Sequence, residues 1–324
     1  MAIPHPASRM PHPDPEAGAA PRVVVICGPT ASGKTAVGIE VARALGGEIV
    51  SADSMQVYRY MDIGTAKPTA AEQAAVRHHL IDVADPDEPF DAAAYMAHGR
   101  RALADLIRRG RTPVVVGGTG LYLKALLCGL FRSDARDAAV RARLRAEAEA
   151  QGPAALHARL AQRDPQAAAR LHPNDAVRIL RALEVLEVTG RPISELQREH
   201  RFGDAPFRAL KIGLALERAA LYRRIDRRVE AMLAAGLEEE VRALLARGYG
   251  PQLKSMQSIG YSHMAALIAG RSSRAECVRT LQRDTRRFAK RQLTWFRADP
   301  EIMWLAPDRV LEAIRRSGAF SALR

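Results

Sequence analysis

The sequence predicts an α/β protein: a parallel sheet flanked by helices, interrupted by an all-helical insertion and followed by a helical C-terminal region. Two observations carry this expectation. Short β-branched runs (VVVICG at 23–28, then 49–52 and 113–116) alternate with helical stretches and end in turn residues, as strands buried on both faces do. Over 134–207, by contrast, no strand-like run occurs and the apolar spacing is helical.

Residues 1–21 hold six prolines and almost no large apolar side chain, so they cannot offset the entropy of ordering and are expected to be a disordered tail. The first strand leads through a Gly-rich turn into a helix that reaches Leu45. A second strand ends at Asp53, and a third enters Gly117, Gly118 and Gly120 before a helix with Leu121, Leu123, Leu126 and Leu127. Such a sheet binds its ligand at the strand C-terminal ends. The run LKIGLAL at 210–216 returns to the sheet, and helices follow over 217–235, 238–246, 261–269 and 274–297, separated by Gly248, Gly260 and Gly270. The expected division is a core of 22–133 and 208–324 with an insertion over 134–207.

With 324 residues and 48% apolar content the chain can bury a full-sized core, which excludes disorder as a whole. No apolar run approaches the roughly 18–20 residues of a membrane span, and the Pro/His-rich start lacks a secretory signal, so a cytoplasmic protein with no membrane partner is expected. Cys27, Cys128 and Cys277 are too far apart for a disulfide framework or a zinc site. Charge is more informative. Residues 22–133 are nearly balanced, with 13 basic and 11 acidic side chains, whereas 134–324 carry 35 and 23, so the excess behind the net +13 lies in the second half and suggests a polyanionic partner. Composition alone does not prove it, since 43 of the 49 basic residues are Arg in an Ala-rich chain.

GPTASGKT, residues Gly28, Pro29, Thr30, Ala31, Ser32, Gly33, Lys34 and Thr35, fits G-x-x-x-x-G-K-[ST] between a predicted strand and a helix, so the sheet is expected to be P-loop NTPase-like. Backbone N–H groups and the positive helix end cradle phosphate oxygens there, Lys34 adds a point charge, and Thr35 can hold Mg²⁺. Asp53, at the same sheet edge, is open to three roles: a Mg²⁺ ligand, a general base for a weak nucleophile, or a turn cap. On the helix at 217–235, Leu221, Ile225, Val229 and Met232 form an apolar stripe with Arg228 at its edge. An Arg turned inward needs an anion, either a structural carboxylate or a substrate phosphate.

The terminal helix divides into an apolar face of Val278, Leu281, Phe288, Ala289 and Phe296 and a basic ridge of Arg279, Arg283, Arg286, Arg287, Lys290 and Arg297, with Asp284 as the one acid between Arg279 and Arg297. That ridge fits a polyphosphate partner. Beyond the expected cap at Asn174-Asp175, Arg178 and Arg181 share one helix side.

Longer stretches, SADSMQVYRYMDIGTAKP at 51–68, HHLID at 78–82, PVVVGGTGLYLKALLCGL at 113–130, HPNDAVRILRALEVLEVTGRPIS at 172–194 and TRRFAKRQLTWFR at 285–297, together with GPTASGKT, resemble the tRNA dimethylallyltransferase family of bacterial type. The resemblance implies an enzyme that moves a dimethylallyl group from dimethylallyl diphosphate to the exocyclic amine of adenosine 37 of tRNA, with Mg²⁺ as cofactor and the chain acting as a monomer. It implies Asp53 as general base, Thr119 as a hydroxyl near the amine, and Lys34, Thr35 and Arg228 on the diphosphate. It also implies tRNA contacts from Asp53, Ser54, Met55, Gln56, Thr119, Arg141, Val177, Arg178, Ile179, Leu180, Arg181, Gln257, Ser258, Ile259, Gly260, Tyr261 and Ser262. Ser262 departs from the Lys or Arg that relatives often carry. A small-molecule or nucleoside kinase and a non-catalytic RNA-binding protein are the rival classes, and neither requires DSMQVYRYMDIGTAKP.

Overall fold

A computed structural model of the protein describes residues 20–130, 137–200, 205–318 and 320. The tail expected over 1–21 lies, apart from its last two residues, outside the described residues, as does the 133/134 boundary. The chain begins with β1 (Arg22–Cys27), α1 (Lys34–Ala44), β2 (Glu48–Ser51), α2 (Ala70–Ala75), β3 (His78–His79), α3 (Ala92–Arg108), β4 (Pro113–Gly117) and α4 (Gly120–Cys128). Five helices follow: α5 (Ala138–Gln151), α6 (Pro153–Arg163), α7 (Pro165–Ala168), α8 (Ala176–Thr189) and α9 (Ile193–His200). The rest is β5 (Arg208–Leu214), α10 (Arg218–Ala234), α11 (Leu237–Ala246), α12 (Tyr261–Ile268), α13 (Arg274–Arg297), β6 (Met303–Leu305) and, after one 3₁₀ turn, α14 (Val310–Arg316).

All six strands are parallel, in the order β3-β2-β4-β1-β5-β6. Val23 to Cys27 of β1 and all five residues of β4 are buried, because helices cover both sheet faces. The register positions the site. Cys27 stands level with Gly117, and Ser51 with Val116; the Ala52 N–H extends that ladder to the Val116 carbonyl at 2.8 Å. One step beyond β1 and β4 and two beyond β2, therefore, Gly28, Gly118 and Asp53 leave three adjacent strands at the same edge. Val24, Ile26, Val114, Val116 and Ile212 pack with Val37 and Val41 of α1 and Val310 and Ile314 of α14 to form the core of this layer.

The chain divides into two compact units, 1–87 with 102–118 and 206–324, and 88–101 with 119–205. The second gathers more of the chain than the 134–207 insertion, since it also takes the first part of α3 and all of α4. Its helices close over Leu144, Leu156, Leu160, Ile179 and Leu183. Buried Asp164 caps α7 through the Ala167 N–H and with its second oxygen takes the Ser194 N–H, both at 3.0 Å. Asp175 caps α8 as its sequence position predicts, accepting from the Arg178 N–H.

Sequence expectations and structure differ at several points. The last predicted strand begins at Arg208 and its ladder ends at Leu214, two residues short of 216. The helices α2, α3 and α14 and the strands β3 and β6 were not anticipated; the strands are two and three residues long, too short for any periodicity to register. On α13 the buried face is Cys277, Leu281, Ala289, Gln292 and Phe296, while Phe288, expected in the core, is 36% exposed.

Candidate active site and RNA-facing residues

The loop after β1 folds as a phosphate cradle. Ala31 (φ 63°) and Gly33 (φ 92°) both take left-handed backbone, which reverses the chain twice within four residues. Gly33 is also the N-cap of α1, whose first turn has neither a side-chain cap nor an acidic residue. The Ser32 N–H is bound to the Pro29 carbonyl at 3.3 Å, but those of Ala31, Gly33, Lys34, Thr35 and Ala36 have no protein acceptor among the described residues. Neither does the hydroxyl of Ser32, which is fully buried. Uncommitted donors at a helix start are what an anion needs.

Two cations serve the cradle. Lys34 donates to the Pro29 carbonyl at 2.6 Å, and burial brings its ammonium down to about 8 against the opposing pull of Asp53. Arg228 reaches from α10 to donate to Thr30 Oγ1 at 3.2 Å. Burial lowers its pKa while Asp53 and Glu72 raise it, and no carboxylate among the described residues lies within ion-pair distance. The structural carboxylate weighed as its partner is therefore not there. Arg224, one turn before Arg228, escaped the sequence argument, yet its Nη1 comes within 3.9 Å of the position a Cβ on Gly33 would take.

Asp53 caps the turn that follows β2. Its Oδ1 accepts the N–H groups of Met55 at 2.9 Å and Gln56 at 3.3 Å, and its Oδ2 has no hydrogen bond among the described residues. Gln56 in turn donates to the carbonyls of Thr65 and Ala66. The loop over 62–66 is itself held by Glu240 of α11, whose carboxylate collects the N–H groups of Asp62, Ile63 and Gly64 and the Tyr261 hydroxyl at 2.6 Å. Lys67 anchors the same loop through the Tyr58 carbonyl, Asp62 and Asp82. A chain of contacts thus runs from α11 to the carboxylate of Asp53. Glu240 and Lys67 were missed: the partners of Glu240 lie far along the chain, and those of Lys67, though near in sequence, follow no helix or strand period.

These contacts revise some RNA-facing expectations. Tyr261 is fully buried against Glu240, and burial and the neighbouring carboxylate push its hydroxyl upward, so its side chain supports the loop instead of meeting RNA. Gly260 is buried as well. Gln257 is exposed, Ser258 and Ile259 are half-buried, and Ser262 donates back to the Ser258 carbonyl at 3.0 Å. On α13, Arg283 and Arg287 share Asp284, and Arg286 pairs with Asp226 at 3.0 Å. Arg279, Lys290 and Arg297 remain exposed with no carboxylate partner among the described residues.

Within the second unit, Thr119 is the N-cap of α4. Arg141 of α5 and Arg181 of α8 both donate to the same oxygen of buried Glu184, at 2.7 and 2.8 Å. Burial pushes the Glu184 carboxyl up, but the two guanidinium groups outweigh it and hold it below its ordinary value. Val177 is 80% exposed, Arg178 is exposed beside Asp175, and Leu180 is half-buried. Ile179 is fully buried in the helical core, so its side chain offers RNA no contact.

Comparison with known proteins identifies the family. The family model described as IPP transferase matches residues 56–299. The tRNA dimethylallyltransferase of Desulfosudis oleivorans is 58% identical over 294 residues, covering 91% of this chain and 94% of that protein. A crystal structure of the tRNA isopentenylpyrophosphate transferase from Bacillus halodurans superposes with a TM-score of 0.69 at 41% identity, over 93% of this chain and 97% of that one. A eukaryotic dimethylallyltransferase acting on tRNA gives a TM-score of 0.76 at 28% identity, over 93% of this chain and 79% of its own. With the family model matching most of the chain and a relative 58% identical over 91% of it, the chain belongs to the IPP transferase family.

Proposed function

We propose that the chain transfers the dimethylallyl group of dimethylallyl diphosphate to the exocyclic N6 amine of adenosine 37 in tRNA, releasing diphosphate and leaving N6-isopentenyladenosine. The carrying observation is that Asp53 keeps one oxygen unengaged while its charge acts on both Lys34 and Arg228 of the phosphate cradle. A base and an anion site then stand together.

The chemistry needs both. An adenine amine has its lone pair delocalised into the ring, so it attacks well only as its proton leaves. Asp53 Oδ2 takes that proton while Oδ1, pinned by Met55 and Gln56, keeps the carboxylate from turning away. The N6–C1 bond forms as the allylic C1–O bond breaks, and the electron pair of that bond stays with the diphosphate. Uncommitted loop N–H groups, Lys34 and Arg228 meet the growing charge, which preorganised donors stabilise without rearrangement. Mg²⁺ fits the donors present: Thr35, in the first turn of α1 beside the cradle, offers a hydroxyl oxygen, and a cation there would take its remaining ligands from phosphates and water. Bound, it would neutralise charge on the leaving group.

RNA is gripped at the anticodon stem and loop, with the adenosine drawn out of its stack. The unpartnered cations of α13 supply phosphate contacts, and Arg141, Arg178 and Arg181, each already beside a carboxylate, add weaker ones. The chain acts as a monomer in the cytoplasm, and no helix among the described residues is long and apolar enough to cross a membrane. Incubation with radiolabelled dimethylallyl diphosphate and unmodified tRNA should place label in the RNA. Phosphoryl transfer from ATP with no label in RNA would replace this reading with the kinase one.

A further inference from the structure

The apolar face of α13 contains one buried amide. Gln292 is 7% exposed between Ala289 and Phe296, and its two ends meet two different loops. Oε1 accepts the Thr30 N–H at 2.8 Å, and Nε2 donates to the Gly118 carbonyl at 2.9 Å. Only one orientation of the amide serves both partners. Gly118 is shaped to it: a Cβ there would lie 2.4 Å from Nε2.

The Thr30 contact changes the inventory of the phosphate cradle. Because its N–H is given to Gln292, Thr30 does not belong to the set of backbone donors left for an anion, and its hydroxyl oxygen accepts from Arg228. Thr30 is thus held at both ends immediately before Ala31, a non-glycine residue in left-handed backbone that needs its surroundings to hold it there. The second contact ties the same amide to the turn after β4, the next strand over.

We propose that Gln292 is a positioning residue that holds the phosphate loop and the β4 turn at a fixed spacing, so that diphosphate meets preorganised donors. This rests on the reading that the loop takes the diphosphate of the allylic substrate. The residue type is dictated by its partners. Methionine would fill the volume and serve neither. Ionised glutamate would keep the Thr30 contact but set its second oxygen against the Gly118 carbonyl. Protonated glutamate would serve both again.

The test measures the dissociation constants of a non-reactive dimethylallyl diphosphate analogue and of unmodified tRNA, with single-turnover rates and hydrogen exchange at Thr30, for wild type, Gln292→Met and Gln292→Glu. Failure of wild type to bind the analogue would remove the diphosphate reading, while Thr30 exchange, read without ligand, would still report on the tie itself. Gln292→Met should weaken analogue binding roughly tenfold, as loss of buried hydrogen bonds does, and speed Thr30 exchange, with tRNA affinity unchanged. Gln292→Glu should show the same split, and its deficit relative to wild type should shrink as the pH is lowered and the carboxyl protonates. Analogue affinity and Thr30 exchange that stay at wild-type values in both variants would overturn the proposal. So would parallel loss of tRNA binding with no pH relief in Gln292→Glu, which would make Gln292 a filler of the core.

Discussion

Raising the pH should weaken diphosphate binding through Lys34 before any other cation of the site responds. Burial brings its ammonium down to about 8. Arg228 is also lowered by burial, but from a guanidinium value far above the working range, and burial lifts the neighbouring Cys27 thiol to about 12. A group titrating at 8 is about 0.9 protonated near pH 7 and about 0.09 near pH 9. If the anion requires the ammonium, Kd should rise roughly tenfold across that interval, a loss of about 1.4 kcal/mol. The sign follows from linkage: bound diphosphate favours the charged form, so the Lys34 pKa rises on binding, and above about pH 8 each binding event takes up a proton. Calorimetric titration with a non-reactive diphosphate monoester, ionised throughout this range, in two buffers of different ionisation heat reads both quantities. Lys34→Arg, which cannot discharge, should give a flat profile whatever its absolute affinity. A wild-type Kd constant between about pH 7 and pH 9, with no proton uptake, would refute the reasoning.

Asp53→Asn should retain the turn cap through its side-chain oxygen and bind both substrates within a few-fold of wild type, yet lose roughly 10²–10⁴-fold in single-turnover rate; a near wild-type rate would remove Asp53 as the base. Replacing Arg279, Lys290 and Arg297 with Ala should reduce the dependence of log tRNA affinity on log salt by about 2, and identical slopes by filter binding would mean that the α13 ridge is only solvated. Arg283→Ala with Arg287→Ala should do less, because both are already engaged by Asp284. Gly117→Ala should destabilise the fold by about 1–3 kcal/mol or more in denaturant titration, since its Cβ would lie 2.1 Å from the Ala52 carbonyl oxygen, a backbone atom with little freedom to move.

What the sequence disclosed and what it hid divide along physical lines. Strand ends at β1, β2 and β4 were legible because β-branched runs stop at Gly or Asp, and their common edge followed from parallel connection alone. Caps such as Asp175 were legible because they act on residues two or three positions away. Gln292, Glu240 and Lys67 were not, although all three secure the site. The partners of Gln292 and Glu240 lie far along the chain, those of Lys67 sit in irregular loop with no period to betray them, and a polar residue within an apolar helix face reads as a fault in the stripe until its partner is seen. Phe288 shows the converse error: periodicity placed it inward, but Gln292, one turn on, took the buried place.

Of the roles posed for Asp53 from sequence, the structure shows the turn cap, and that cap leaves room for the proposed base. A turn cap needs one acceptor, and Oδ1 supplies it to two N–H groups; a carboxylate has a second oxygen, and here Oδ2 is left over. In the proposed reaction, a carboxylate pinned at Oδ1 by two N–H groups would keep Oδ2 in one orientation for the amine proton. The same argument explains why the turn is braced from behind, by Gln56 on the carbonyls of Thr65 and Ala66 and by Glu240 on the N–H groups of 62–64. If that bracing sets the aim of Oδ2, loosening it should slow proton removal while leaving the phosphate cradle, which shares none of those bonds, able to hold its anion.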